Sequence, residues 1–342
     1  MQYRTVGKTG IRVSEIGFGC GNNAVLMVKA PYEEQRKAVR HALDLGINFF
    51  DTAFAYGLGK SEENLGRILN EIGAHPVVST KIRLESDAVG DVGAATIRAV
   101  EAGLKRLNRD RVDFIQLHTR VTLERGAGKR FSLTPQDVLG PKGVVEGFKT
   151  MRDRGKVGYF GFSGLGEVTA LHQLVDSGEF HGFQAYYNLL NPSAGQPVLQ
   201  GFSALDYRRI IDRAAANGMG AFVIRVLAAG ALTSDPSPGG GSSPEPLSPG
   251  SDYPLDVQRA EKVKAALGLD GKSLAQAAIR FGLMKSEVST VLVGFSNTVH
   301  IDEAVACSGA GGLSQDAMTK IRQLWDTDFG GLKRTTAIRE EF

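Results

Sequence analysis

Ile47-Asn48-Phe49-Phe50-Asp51-Thr52-Ala53-Phe54-Ala55-Tyr56-Gly57, continuing into Ser61-Glu62-Glu63-Asn64-Leu65-Gly66, is the stretch from which the rest of the chain can be read. It opens as a short apolar run, as a buried strand does, and delivers a carboxylate and a phenol at its C-terminal end. Ser-Glu-Glu then opens an amphipathic helix. A strand that ends in an acid and a tyrosine and turns into a helix is where parallel α/β proteins place their chemistry.

The same unit recurs along the chain. Apolar positions at helical spacing (Ala38, Ala42, Leu45) precede Gly46, a helix-stop signal, and the strand at 47–51. Helical patterns over 33–45, 62–71, 94–107, 144–154, 167–177, 207–217 and 273–284 alternate with short apolar strands near residues 17, 49, 78, 115, 160, 183, 222 and 291, and helices over 300–307 and 314–327 close the chain. Strict alternation with eight strands predicts an α/β fold, a closed (β/α)8 TIM barrel, in preference to an open doubly wound sheet. Residues 2–19 read as an N-terminal hairpin turning at Lys8-Thr9-Gly10 and feeding the first strand. One domain over 1–342 is expected, with loop insertions at 119–140 and 234–254 and a C-terminal tail at 329–342.

Both insertions follow strands, so both are expected at the C-terminal mouth of the barrel. The first is polar and carries Arg120, Glu124, Arg125, Lys129 and Arg130; the second contains Pro-Ser-Pro-Gly-Gly-Gly-Ser-Ser-Pro-Glu-Pro, a composition that cannot bury a core. Long loops at that face usually select or cover substrate; an exposed insertion without a role is the competing reading of the second.

Composition narrows the partners. Lys and Arg number 40 against 37 Asp and Glu, a net charge of +3, too even for a polyanion binder, so no nucleic-acid partner is expected. Two cysteines, Cys20 and Cys307, make no disulfide framework, and a reducing cytoplasm is expected. No apolar run reaches the roughly eighteen residues of a membrane span, and the first residues show no signal peptide. The six histidines show no metal-ligand spacing, and no metal is expected. Gly17-Phe18-Gly19-Cys20-Gly21-Asn22 fails as a dinucleotide fingerprint at its sixth position, Gly59-Lys60-Ser61 lacks the first glycine of a phosphate loop, and Gly161-Phe162-Ser163-Gly164 is not a hydrolase elbow.

The polar residues at the expected strand ends are Asp51, with Tyr56 just beyond, then Lys81, His118, Ser163, Gln184 with Asn188 beyond, and Arg225. Singly, each has a plain reading: a solvated lysine, a core histidine, an aspartate capping a turn. Together on consecutive strand ends, Asp, Tyr, Lys and His make a proton-transfer set. An ammonium lowers a phenol's pKa by favouring the phenolate, a carboxylate holds that ammonium in place, and an imidazole orients or relays.

Asp51-Thr52-Ala53 with Tyr56-Gly57, Ser61-Glu62, Thr80-Lys81 and Leu117-His118 resembles the aldo-keto reductase superfamily, as do the opening Gly7-Lys8-Thr9-Gly10-Ile11-Arg12-Val13-Ser14, Gly155-Lys156-Val157 and Gly161-Phe162-Ser163. The resemblance implies a (β/α)8 barrel, a nicotinamide cofactor (NADP or NAD) without a Rossmann fold, and hydride transfer between cofactor and a carbonyl carbon. It implies Tyr56 as general acid in reduction and general base in oxidation, Lys81 as the group that lowers its pKa, Asp51 as the partner of Lys81, and His118 as the group orienting the carbonyl or relaying a proton. Ser163 and Gln184 match positions that hold the carboxamide; Gly294, Phe295, Ser296, His300 and Glu303 fall where the family binds the adenosine end. Gly21, Arg225 and Leu227 are further cofactor candidates, and Asn22, Phe54, Arg120 and Asn188 are the substrate candidates.

Three departures stand out. Ser163 is followed by Gly164 where the family commonly has Asn, a pattern similar to its sugar dehydrogenase branches. Ile224-Arg225 stands where an aromatic often stacks on the nicotinamide. His300 replaces an arginine that many members set against the 2′-phosphate, with Ala304 in place of a following Asn; imidazole is a poorer phosphate partner than the guanidinium fork. The implied function is oxidation or reduction of a polar, sugar-like small molecule by a monomer or homo-oligomer. The alternatives are a general NADPH-dependent aldehyde or ketone reductase and a nicotinamide-binding sensor barrel with little turnover. A barrel lyase or isomerase working through a Schiff-base Lys81 is a third class.

Overall fold

A computed structural model describes residues 1–22, 25–127, 131–234, 236 and 252–332. Twelve strands are formed by the described residues: β1 (Tyr3–Thr5), β2 (Arg12–Ser14), β3 (Ile16–Gly19), β4 (Phe49–Asp51), β5 (Val77–Ile82), β6 (Val112–Leu117), β7 (Arg120–Val121), β8 (Ser132–Leu133), β9 (Val157–Ser163), β10 (Gly182–Tyr186), β11 (Gly220–Ile224) and β12 (Val288–Gly294). Eight of them close a barrel in the order β3-β4-β5-β6-β9-β10-β11-β12, with β12 pairing back to β3. Every described barrel pair is parallel. The eight strands expected from the apolar runs are these eight, and the fold is a (β/α)8 barrel.

The hairpin of β1 and β2 closes the N-terminal end. Val6 and Val13 pack there with Phe49, Phe114 and Phe222, whose rings lie 5.0–6.4 Å apart inside the barrel. This aromatic plug fills the N-terminal end of the barrel interior. The outer layer comprises helices whose apolar sides form the main core with the outward faces of the strands. Among them are α1 (Leu26–Lys29), α2 (Tyr32–Asp44), α3 (Lys60–Ile72) and α4 (Val92–Leu107). The glycine that ends the quoted stretch, Gly66, lets α3 touch the end of α4: a Cβ there would stand 2.0 Å from the Leu107 carbonyl oxygen.

Four expectations change. The stretch 119–140 is not plain loop: β7 and β8 pair in parallel, and α5 (Pro135–Leu139) follows. The Thr134 hydroxyl accepts from the Asp137 amide while the Asp137 carboxylate accepts from the Thr134 amide, a reciprocal cap legible in Thr-Pro-Gln-Asp. Lys129 and Arg130 lie outside the described residues. Next come α6 (Val144–Asp153), α7 (Val168–Asp176) and α8 (Ile210–Ala216), the last shorter than expected because Arg208 and Arg209 hold left-handed backbone. Most of the 234–254 loop is outside the described residues, and an unexpected helix, α9 (Tyr253–Leu267), begins within its last two positions. Its buried side includes Asp256 and Arg259, which breaks the apolar period by which a helix is recognised. Then follow α10 (Gly271–Leu283), α11 (Thr298–Val305), α12 (Gln315–Asp326) and the short α13 (Asp328–Gly331). The expected tail therefore starts docked: Phe329 is fully buried beneath the Arg259 guanidinium, and residues 333–342 are outside the described set.

Candidate active site

Adjacent strand ends bring the polar residues together. In register, Asp51 of β4 lies beside Ser79 of β5, and Lys81 of β5 lies beside Gln116 of β6. The Lys81 ammonium donates to Asp51 Oδ2 at 2.6 Å, to the Thr52 carbonyl at 2.8 Å and to Tyr56 Oη at 3.1 Å. Asp51 Oδ1 accepts from Gln184 Nε2 of β10 at 2.9 Å and Gln116 Nε2 at 3.4 Å. Asp51 and Lys81 are both buried, and a buried ion pair of this kind persists only when the remaining polar valences are met. Here they are.

Tyr56 hangs on the turn between β4 and α3, and the residues after it hold that turn down. The Ser61 hydroxyl contacts that of Thr52 at 2.8 Å and donates to the Cys20 carbonyl at 3.1 Å. Glu62, fully buried, accepts from Thr80 Oγ1 at 2.5 Å and from Arg106 Nε at 2.6 Å. Ser61 and Glu62 thus tie the Tyr56 turn to the strand that carries Lys81. Their place in the sequence pattern was visible; this anchoring role was not.

His118 follows β6, its amide donating to the Ile82 carbonyl at 2.8 Å. Its ring meets the Tyr56 ring edge-on at 6.0 Å. Burial, then the Lys81 and Arg83 charges, push its pKa down to about 3, so the imidazole is neutral at physiological pH. Its Nδ1 is buried with no hydrogen-bond partner among the described residues. Burial raises the Tyr56 phenol above its ordinary value, and the Lys81 ammonium pulls against that without cancelling it. The expected net lowering by Lys81 is corrected accordingly: its charge acts in the expected direction, but desolvation outweighs it. Burial pushes the Lys81 ammonium down; Asp51 and then Tyr56 oppose this and leave its pKa raised.

These groups open into one cavity of about 840 Å³ that runs from Tyr56 and His118 past Ser163, Gln184, Arg225 and Leu227 to Gly294, Ser296, His300 and Glu303 near the start of α11. Gly21, Asn22 and Arg120 also line it. Ser163 Oγ is buried with no hydrogen-bond partner among the described residues, an unmet polar atom on the wall where a carboxamide is expected. An elongated cavity with an orphaned hydroxyl at its reactive end fits a nicotinamide dinucleotide. Gly164 has a steric reason: a Cβ would stand 2.6 Å from the Gln184 carbonyl oxygen, which accepts the Gly164 amide at 2.8 Å.

Three candidates leave the site. Asn188 does not line the cavity: its side chain accepts from the Leu190 and Asn191 amides and donates to the Arg225 carbonyl, so its polar capacity goes into shaping its own loop. The Phe54 ring lies under the Arg106 guanidinium at 4.7 Å, away from the cavity lining. Phe295 points into the core against Phe18 at 5.1 Å. Strand-end position alone does not say which way a side chain turns. Conversely, Arg83 and Lys272 line the cavity without having been singled out; Lys272 pairs with Glu303 at 3.1 Å. Arg83 was legible as the second residue past Lys81, whereas Lys272 arrives on α10, far along the chain. No group of three or more potential metal ligands occurs among the described residues, and none of their helices is long and apolar enough to cross a membrane.

Residues 15–326 match the Aldo/keto reductase family. The chain belongs to that family. It is 26% identical over 335 residues to L-galactose dehydrogenase of Arabidopsis thaliana, covering 95% of this chain and 94% of that one. It is 28% identical over 342 residues to L-glyceraldehyde 3-phosphate reductase of Escherichia coli O157:H7, covering 94% and 92%. Among solved structures, the holo form of aldo-keto reductase AKR11C1 from Bacillus halodurans superposes with a TM-score of 0.70 over 99% of both chains at 21% identity, a likeness of fold. As an aldo-keto reductase, the chain is an oxidoreductase that acts on small molecules.

Proposed function

We propose that this aldo-keto reductase interconverts a carbonyl and an alcohol on a polar, sugar-like substrate with NADP(H) or NAD(H). The observation that carries the reading is the Lys81 ammonium held at hydrogen-bond distance between Asp51 and Tyr56, both of which line the cavity. Tyr56 protonates the carbonyl oxygen during reduction and takes the hydroxyl proton during oxidation. Its raised pKa suits the first task, since the phenol keeps its proton until the oxygen develops charge. Lys81 stabilises the phenolate that remains, and Asp51 keeps Lys81 charged. His118, neutral, orients the carbonyl oxygen by a hydrogen bond without competing for the proton. The nicotinamide, when bound, accepts or supplies the hydride.

Ser163 and Gln184 hold the carboxamide end in this reading, with Gly21, Arg225 and Leu227 along the middle. Gly294, Ser296, His300 and Glu303 take the adenosine end. Asn22 and Arg120 face the substrate. The sugar-related names of two relatives that span nearly the whole chain support a polyhydroxylated substrate. The test is a screen of nicotinamide absorbance in both directions with sugars, aldehydes and ketones. Turnover of sugars or small hydroxyaldehydes is expected; turnover restricted to apolar carbonyls would set the sugar-like assignment aside.

A further inference from the structure

The ends of β5 and β6 are laced together past the last paired residues. Beside the His118–Ile82 bond, the Leu84 amide donates to Thr119 Oγ1 at 2.8 Å, and the same hydroxyl donates to the Leu84 carbonyl at 3.1 Å. This lacing fixes two arginines on either side of His118, Arg83 on the β5 side and Arg120 on the β6 side, and both line the cavity that holds Tyr56 and His118. Arg120 is held further by β7, whose Val121 amide donates to the Leu165 carbonyl at 3.0 Å and whose Val121 carbonyl accepts from the Glu167 amide at 2.9 Å. The rim is therefore preformed.

In the ring of eight strands β6 stands opposite β12, and β5 opposite β11. The two arginines thus face the wall that leads to His300 and Glu303, and they are on the side left for substrate when a dinucleotide lies along that wall. Among the described residues lining the cavity the acidic ones are Asp51 and Glu303, and each is already paired with a lysine, at 2.6 Å and 3.1 Å. Neither of these acids is left to oppose a ligand anion beside Arg83. Arg83 pairs with Glu85 at 2.8 Å, but both are half-exposed, and such a pair contributes little and yields to a better placed anion. The influence of Arg83 on His118 shows that its charge is felt at the reacting end.

We propose that the substrate carries an oxyanion, a carboxylate or a phosphate, held by Arg83 and Arg120 on the rim opposite the dinucleotide wall. Guanidinium suits either anion, since its planar fork matches both. The proposal rests on the oxidoreductase reading above and names its substrate class.

The test pairs each anion with its neutral parent: glucuronate with glucose, and glyceraldehyde 3-phosphate with glyceraldehyde. Kinetics are measured in both directions. Calorimetric binding of the same compounds is measured on the full chain with and without NADP+ or NADPH. At least one anion should exceed its parent about tenfold to hundredfold in kcat/KM, carried by KM. That ratio should fall toward one in Arg83→Gln and Arg120→Gln and shrink with added salt in the unmodified protein; which pair responds tells carboxylate from phosphate. Neutral parents equal to or better than their anions, or a ratio the variants and salt leave intact, overturns the anion site while the oxidoreductase reading stands. Arginine-dependent anion binding without turnover of any compound overturns the oxidoreductase reading and keeps the site. Absence of both overturns both.

Discussion

Lys81 Nζ lies 2.6 Å from Asp51 Oδ2, and both side chains are buried. The pair is not a surface ornament: Asp51 also receives the amides of Gln184 and Gln116, so one carboxylate joins β4, β5, β6 and β10. Removing its charge strands a buried ammonium. Asp51→Asn should therefore destabilise the fold by about 3–5 kcal/mol, and the double variant with Lys81→Met should recover part of the loss. Chemical denaturation of the unmodified protein, the two single variants and the double variant checks this; additive losses would mean the two groups are uncoupled.

The pH dependence follows from the site's charges. With its pKa near 3, His118 stays neutral across the physiological range. With its pKa raised, Tyr56 stays protonated until strongly alkaline pH. Carbonyl reduction should thus be nearly flat between about pH 6 and 9, without an inflection near the ordinary histidine value. Alcohol oxidation, which needs the phenolate, should rise with pH across the same range. Steady-state profiles in both directions test the assignment, and a reduction limb near pH 6.5 would contradict it.

Ser163 Oγ is buried without a hydrogen-bond partner among the described residues. Ser163→Ala should leave stability unchanged or raise it by about 1 kcal/mol, because an unmet hydroxyl is removed. It should also weaken dinucleotide binding about three- to tenfold. Thermal denaturation with a fluorescence titration of NADPH separates the two effects; loss of stability with unaltered affinity would make the serine a packing residue.

At the adenosine end, His300 is exposed on the first turn of α11 and Glu303 is paired with Lys272. If His300 faces the 2′-phosphate, His300→Arg should tighten NADPH about tenfold and leave NADH within about twofold. Titrations of both cofactors test this, and equal effects on the two would place His300 elsewhere.

Much of the fold and of the site is legible in the sequence. The barrel strands are short apolar runs bounded by helix-stop glycines, and eight of them in alternation leave few architectures. Asp51, Tyr56, Lys81 and His118 were legible because consecutive parallel strands deliver their C-terminal residues to one mouth. The misreadings share a cause: chain position fixes where a residue sits, not which way it turns. Phe54 turns outward under Arg106, Asn188 spends its amide on its own loop, and Phe295 faces the core. Helix α9 was hidden because Asp256 and Arg259 occupy its buried side. Lys272 escaped because it reaches the cavity from another part of the chain.

The most direct test of the account is Tyr56→Phe, which removes one oxygen at 3.1 Å from Lys81 and little else. Turnover of whichever carbonyl substrate the screen identifies should fall by about 10²–10⁴-fold, while fluorescence titration shows NADPH bound within about threefold of the unmodified protein. Turnover preserved in Tyr56→Phe, with the cofactor still bound, would contradict the account.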